Sequence, residues 1–83
     1  MEGDLQRLVG DNVRARRKLV GETQEAFARS LPFHYTYLGS IERGERNLSL
    51  RSIERLADLI GVEPLTLFRL PAEHCKETAR PQK

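Results

Sequence analysis

Apolar residues recur every three or four positions along most of the chain, which is the spacing of one face of an α-helix. In residues 4–20 the apolar positions on that face are Leu5, Leu8, Val9, Val13 and Val20. Gly21 is a plausible stop, and Thr23 is a suitable N-cap for a second helix. The pattern therefore predicts a first helix over residues 4–20.

A second helix is predicted over residues 23–31, TQEAFARSL, because Pro32 disfavours helical geometry in the residue before it. Its predicted inward positions are Ala26, Phe27, Ser30 and Leu31. A third helix, HYTYLGSIER (34–43), ends at Gly44. A fourth helix, SLRSIERLADLI (49–60), has Ser49 as its N-cap. Its predicted inward positions are Leu50, Ile53, Leu56, Ala57 and Ile60.

The segment EPLTLFRL (63–70) is predicted to be a short fifth helix, because Pro64 is favoured in a first helical turn. It has more apolar residues than one face of two turns can bury. We therefore expect a two-fold dimer interface formed by Leu65, Leu67, Phe68 and Leu70. The alternative is that the tail folds over them. With no strand-like alternation, the fold class is all-α, with a five-helix domain over residues 1–70 and a flexible tail over 71–83.

The composition of the chain predicts a soluble cytoplasmic protein. The chain has 83 residues and a net charge of +2, and 11 of its 14 basic residues are arginine, which suits both phosphate contacts and ion pairs. The single Cys75 fits a reducing compartment, and the N-terminus lacks a signal-peptide layout. No apolar run reaches the roughly 18 residues of a membrane span, so no membrane association is expected.

The residues needed for catalysis or metal binding do not cluster in the sequence. His74 and Cys75 are adjacent and have no further ligands nearby, which does not make a zinc site. There is no glycine-rich phosphate loop and no nucleophile–base set in a plausible pocket. We expect no enzyme activity, metal, cofactor or small-molecule ligand.

Helices two and three have the pattern of a helix-turn-helix, in which two helices cross steeply over a short turn. Ala28 is the small residue needed where the helices cross. The predicted inward apolar positions are Phe27, Leu31, Phe33, Leu38 and Ile41. The polar positions left on the outward face are His34, Tyr35, Thr36, Tyr37 and Ser40.

The span from about Leu8 to Phe68 resembles the Cro/C1-type (XRE family) helix-turn-helix domain, through TQEAFA, SIERGERN and LSLRSIERLADLIGV. The segment HYTYLGSIERGERNLSL is similar to the recognition segment of restriction-modification controller proteins. This resemblance implies a lambda repressor-like fold whose third helix enters the DNA major groove. Three residues depart from the family pattern. Tyr35 stands where controllers usually carry a guanine-reading arginine, Pro32 replaces the turn glycine, and Glu22 replaces the usual apolar residue before the second helix, so that the hydrophobic staple is lost.

The resemblance implies a set of DNA-binding residues, namely Gln24, His34, Tyr35, Thr36, Tyr37, Ser40, Arg43, Arg46 and Asn47. Gln24 matches a phosphate contact at a helix N-terminus, and Arg43, Arg46 and Asn47 match a backbone-contacting loop. Arg46 could instead reach a base. Other roles also stay open, with His34 as an N-cap, Tyr37 as a packing aromatic and Asn47 as a brace of the loop. Arg17 and Glu42 match a structural ion pair, with DNA contact as the alternative.

The function implied is that of a homodimeric regulator of transcription that binds a pseudo-palindromic operator in double-stranded DNA. An autoregulated controller of a restriction-modification operon is the first expectation, with RNA polymerase as a further candidate partner. The alternatives are a phage-type repressor or an antitoxin-type regulator whose main partner is a protein.

Overall fold

The computed structural model describes residues 3–69, and this part of the chain is helical with no strand. Its elements are the α-helices α1 (Asp4–Leu19), α2 (Gln24–Ala28), α3 (Tyr35–Glu42) and α4 (Leu50–Ile60), followed by a 3-10 helix (Pro64–Phe68). The all-α prediction is confirmed. The predicted short fifth helix (63–70) is present only as the tighter 3-10 helix of residues 64–68, so a count of five α-helices is not confirmed.

Side-chain caps begin three of the four α-helices. Thr23 accepts a hydrogen bond from the backbone N–H of Ala26, and Ser49 accepts one from that of Ser52. His34 caps α3 with a ring nitrogen instead of an oxygen. Each cap satisfies a backbone donor that has no partner within the first turn. The capping residues Thr23, His34 and Ser49 therefore determine where α2, α3 and α4 begin.

Helix α2 is shorter than predicted. It ends at Ala28, and the chain continues through turns in which the Leu31 N–H donates to the Ala28 carbonyl at 2.9 Å. Leu31 is still buried, whereas Ser30, predicted to face inward, is exposed. Pro32 disfavours helical geometry in Leu31, the residue directly before it, and the chain passes from α2 to Leu31 through these turns.

The core lies between all the elements and is mainly aliphatic. Its buried apolar side chains include Val9, Val13, Phe27, Leu31, Leu38, Ile41, Ile53, Leu56, Ile60, Val62 and Leu67. Three predicted inward residues are exposed instead, namely Leu5 (58%), Val20 (45%) and Leu50 (77%). All three lie within two residues of a helix end, where the apolar stripe extends past the neighbouring elements.

Asn12 joins α1 to the 3-10 helix. It is fully buried on the apolar side of α1, and its Nδ2 donates to the carbonyls of Leu8 at 3.0 Å and Leu67 at 2.9 Å. A buried amide is costly unless it is hydrogen-bonded, so these contacts specify where the 3-10 helix packs.

The 3-10 helix turns Leu67 into the core, where its side chain is fully buried. The prediction that Leu67 belongs to an exposed dimer patch is therefore wrong. At three residues per turn the helix directs Thr66 and Leu67 inward and leaves Leu65 outward, with 74% exposure. Phe68 is half-buried and packs against the core. Leu70 and the predicted tail 71–83 lie outside the described residues.

Helices α1 and α3 approach each other closely at Gly10. A Cβ atom at this position would lie 2.3 Å from the carbonyl oxygen of Ile41 and 2.8 Å from that of Glu42. Only glycine permits this distance. The contact fixes the C-terminal end of α3 against α1 and leaves the N-terminal end of α3 exposed.

Candidate nucleic-acid interface

The first turn of α3 carries three exposed side chains in a defined arrangement. The Nδ1 atom of His34 accepts a hydrogen bond from the Thr36 backbone N–H at 3.1 Å. The His34 ring stacks on Tyr35, with centroids 4.5 Å apart and an interplanar angle of 30°. Capping thus occupies one His34 nitrogen, and the stack holds Tyr35 beside it. DNA contact by His34, Tyr35 and Thr36 stays a prediction that their exposure permits.

Tyr37 is half-buried and supports the loop that follows α3. Its ring meets Phe33 edge-on with centroids 5.0 Å apart. The guanidinium carbon of Arg46 lies 4.7 Å from the Tyr37 ring centroid, which is cation–π geometry. The packing role considered for Tyr37 is therefore present in the structure, and its contact with DNA stays a prediction.

Ser40 does not lie on the outward face of α3, and that part of the prediction is wrong. It is only 7% exposed. Gly44, with φ of 77°, turns the chain back over α3, and the Glu45 N–H donates to the Ser40 carbonyl at 2.9 Å. The Ser40 hydroxyl donates to the Tyr37 carbonyl at 2.6 Å and accepts from Arg46 Nε at 2.9 Å. Its partners are protein groups.

Arg17 and Glu42 form a bidentate ion pair between α1 and α3. Arg17 Nε donates to Glu42 Oε2 at 2.7 Å, and Arg17 Nη2 donates to Glu42 Oε1 at 3.0 Å. The hydrogen bond to Glu42 raises the pKa of Arg17 above its ordinary value, and burial opposes this effect. Arg14 adds a more distant charge, with its Nε 3.8 Å from Glu42 Oε1. The buried carboxylate is thus satisfied by surrounding donors.

Gln24 also binds this carboxylate. Its Nε2 donates to Glu42 Oε1 at 3.0 Å, which orients the side chain at the first position of α2. Gly39 was not singled out in the sequence, yet a Cβ there would lie 3.2 Å from both Gln24 Oε1 and Arg43 Nη1. The glycine leaves space for these two polar side chains over α3. A glycine inside an otherwise amphipathic helix is the signal that could have identified it. Phosphate contact by Gln24 stays a prediction.

The two arginines of the loop after α3 differ in their partners. Arg43 Nε and Nη2 donate to Glu45 at 3.0 and 3.2 Å. This bond lowers the pKa of Glu45 and raises that of Arg43, and the pair lies on the surface. Arg46 forms no ion pair with residues 3–69. The loop therefore presents Arg46 without an ion-pair contact, although its charge also helps to lower the pKa of Glu45, and Asn47 is exposed beside it.

Other kinds of site have little support in the part of the chain that is described. Residues 3–69 contain no group of three or more His, Cys, Asp or Glu side chains that could hold a metal ion. No helix in this range is long and apolar enough to cross a membrane. The pair His74 and Cys75 lies outside the described residues.

Comparison with known proteins identifies a matching family model and similar control proteins. A helix-turn-helix family model (HTH_3) matches residues 13–67. Control protein C.BamHI of Bacillus amyloliquefaciens is 38% identical over 69 residues, covering 82% of this chain and 85% of the relative. Control protein C.SmaI of Serratia marcescens is 39% identical over 58 residues, covering 70% and 69%.

A solved structure has the same fold. The crystal structure of the hypothetical transcription factor NHTF from Neisseria aligns with a TM-score of 0.73 and 34% identity, covering 92% of this chain and 87% of that one. The family match covers the elements that carry the α3 face, from the middle of α1 to Leu67. The chain belongs to the XRE-type helix-turn-helix family of DNA-binding transcription regulators.

Proposed function

We propose that the protein is a homodimeric, sequence-specific regulator that controls transcription of its own operon, as restriction-modification control proteins do. The observation that carries this proposal is the first turn of α3, where His34, Tyr35 and Thr36 are exposed. Arg46 of the following loop is exposed as well, lies over the Tyr37 ring and forms no ion pair with residues 3–69. Side chains at the N-terminal end of a recognition helix reach base edges when the helix lies in the major groove. The similarity to C.BamHI and C.SmaI supports the controller role.

We assign each residue to base or phosphate contact from the partners that it has within the protein. Tyr35 and Thr36 read bases, with His34 capping the helix and adding a ring N–H. Gln24, Arg46 and Asn47 contact phosphates and set the register of the protein on the duplex, with Tyr37 beneath Arg46. Arg43 is a further phosphate contact, weakened by its exposed ion pair with Glu45.

Dimerisation is proposed through the outer side of the 3-10 helix. Leu65 is 74% exposed there, Phe68 is half-buried, and Leu70 follows in sequence. A contiguous exposed apolar patch marks an interaction site, and Leu65 with the exposed part of Phe68 forms part of such a patch. Two copies related by a two-fold axis would place their α3 helices about 34 Å apart, one turn of DNA, on a pseudo-palindromic operator. In the cytoplasm the bound dimer would then block or recruit RNA polymerase.

Selection of bound duplexes from a random pool tests this proposal, because the protein itself then picks out its operator sequence. The expected product is an inverted repeat with half-site centres about 10 base pairs apart. The DNA upstream of the gene should contain that repeat, and sedimentation should show two protein chains per duplex. Failure to enrich any sequence, together with stoichiometric capture of a protein partner, would instead favour the antitoxin-type alternative.

A further inference from the structure

The hydroxyl of Ser40 lies beneath the loop that follows α3 and forms hydrogen bonds with two protein groups. It donates to the Tyr37 carbonyl at 2.6 Å, which fixes the direction of its oxygen lone pairs. Arg46 Nε then donates to that oxygen at 2.9 Å. The residue is 7% exposed, so its hydroxyl is oriented before any ligand arrives.

Arg46 is held in two ways, by a hydrogen bond at Nε and by the Tyr37 ring 4.7 Å from its guanidinium carbon. A guanidinium group is planar and has five N–H donors. The bond to Ser40 uses one donor and the ring limits the tilt of the plane. The four terminal donors then have a fixed direction, and no carboxylate of residues 3–69 forms an ion pair with them.

We propose that Ser40 is a positioning residue that orients Arg46 for a DNA phosphate, and that its hydroxyl contacts no DNA itself. This inference rests on the proposed DNA-binding role of the α3 face. Ordering a long side chain at an interface reduces affinity, and an arginine that is already ordered avoids part of that loss. The bond between Arg46 Nε and Ser40 persists in the complex, while the terminal nitrogens bind the phosphate.

A double-mutant cycle on the selected operator tests this role. Ser40→Ala removes only the hydroxyl, and Arg46→Lys keeps the positive charge but lacks an N–H at the Nε position. Ser30→Ala is the matched control, since the Ser30 hydroxyl also donates to the carbonyl three residues earlier, at 3.1 Å from Phe27, in a turn remote in sequence from Arg46. Affinities are measured by fluorescence anisotropy over a range of salt concentrations, and thermal unfolding identifies folded variants.

In the wild-type background Ser40→Ala should weaken operator binding about three- to ten-fold, the loss expected from one reordered side chain. In the Arg46→Lys background the same change should have less than about a 1.5-fold effect. The slope of log affinity against log salt should not change with Ser40→Ala, because Arg46 still neutralises its phosphate. In the free protein, hydrogen exchange at Arg46 Nε–H should become faster.

Three outcomes would overturn the inference. The loss from Ser40→Ala could match that from Ser30→Ala, it could persist in full in the Arg46→Lys background, or exchange at Arg46 Nε–H could be unchanged. A full loss in the lysine background would mean that Ser40 contacts DNA directly. If the wild-type protein selected no operator, the proposed function would fail instead, and the exchange measurement on the free protein would still test the contact.

Discussion

Glu42 accepts two hydrogen bonds from Arg17, at 2.7 and 3.0 Å, at a point where the Glu42 side chain has no exposure to solvent. The pair connects α1 to the C-terminal end of α3, and Gln24 on α2 binds the same carboxylate. Three helices therefore meet at one buried charge. The orientation of α3 depends on keeping that charge compensated.

Arg17→Ala should lower the free energy of unfolding by about 3 kcal/mol, because it leaves a buried carboxylate without its main partner. Urea denaturation followed by circular dichroism measures this loss. Arg7→Ala is the control, because Arg7 pairs with Asp4 on the surface, where their side chains are 61% and 50% exposed. That exposed pair should contribute less than about 1 kcal/mol. Equal losses for the two variants would contradict a structural role for Arg17.

Gly10→Ala should destabilise the fold by about 2 kcal/mol, although alanine is the better helix former. Its Cβ would lie 2.3 Å from the Ile41 carbonyl oxygen, so α1 and α3 would have to separate. Asp11→Ala, at an exposed neighbouring position of α1, should change stability by less than about 0.5 kcal/mol. Denaturant melts of both variants make the comparison, and a neutral or stabilising Gly10→Ala would show that the helices are not in this close contact.

Much of this fold could be predicted from local signals. The caps Thr23, His34 and Ser49 and the stop at Gly44 lie where the sequence indicates, because capping depends on residues within one turn. The ion pair of Arg17 with Glu42 came from the family resemblance, since 25 residues separate the partners.

The errors concern contacts that periodicity does not encode. Asn12 was not singled out in the sequence, because its burial depends on the carbonyl of Leu67, 55 residues away, which accepts its hydrogen bond. Leu67 was assigned to the dimer patch because the segment has more apolar residues than one face of two turns can bury, but the 3-10 helix turns this residue into the core. Ser40 was predicted to face outward because it is one of the polar positions between the inward apolar residues of α3. The loop that returns over α3 and buries it depends on tertiary packing, which this pattern does not encode.

Tyr35→Arg should change which operator is selected. An arginine in the first turn of α3 can donate to guanine N7 and O6, which discriminates by about 1–3 kcal/mol. Selection from a random pool should therefore gain a guanine at one position of each half-site relative to the wild type. Leu19→Arg adds the same charge at the exposed end of α1 and should leave the selected sequence unchanged. An identical motif for Tyr35→Arg and wild type would exclude Tyr35 from base contact.

Leu65→Asp should produce monomers at micromolar concentration while retaining the fold, because Leu65 is 74% exposed. Sedimentation velocity measures the association, and circular dichroism confirms that the helices persist. Leu19→Asp, at an exposed position on α1, is the control and should sediment as the wild type does. Phe68 is unsuitable for this test, since it packs against the core and its substitution would also reduce stability. A dimeric Leu65→Asp would place the interface elsewhere.

Glu45→Gln should strengthen binding to DNA of any sequence at low salt, because it releases Arg43 from its paired carboxylate. Each additional phosphate contact steepens the slope of log affinity against log salt by about 0.9. Glu54→Gln makes the same charge change on α4 and should alter the slope little. If the two variants gave the same slope, Arg43 would have no access to phosphate even when unpaired.

The most direct measurement is the affinity of Thr36→Ala combined with Arg46→Ala for the selected operator and for a scrambled duplex, at one physiological salt concentration. The wild-type protein should prefer the operator by at least about a thousand-fold. Thr36→Ala should remove the base contact and with it most of that preference, and Arg46→Ala should weaken binding to both duplexes. The double variant should remain folded, and Arg29→Ala, at the opposite end of α2 from Gln24, should keep the preference. Retention of the preference by the double variant would contradict the assignment of the α3 face as the surface that reads DNA.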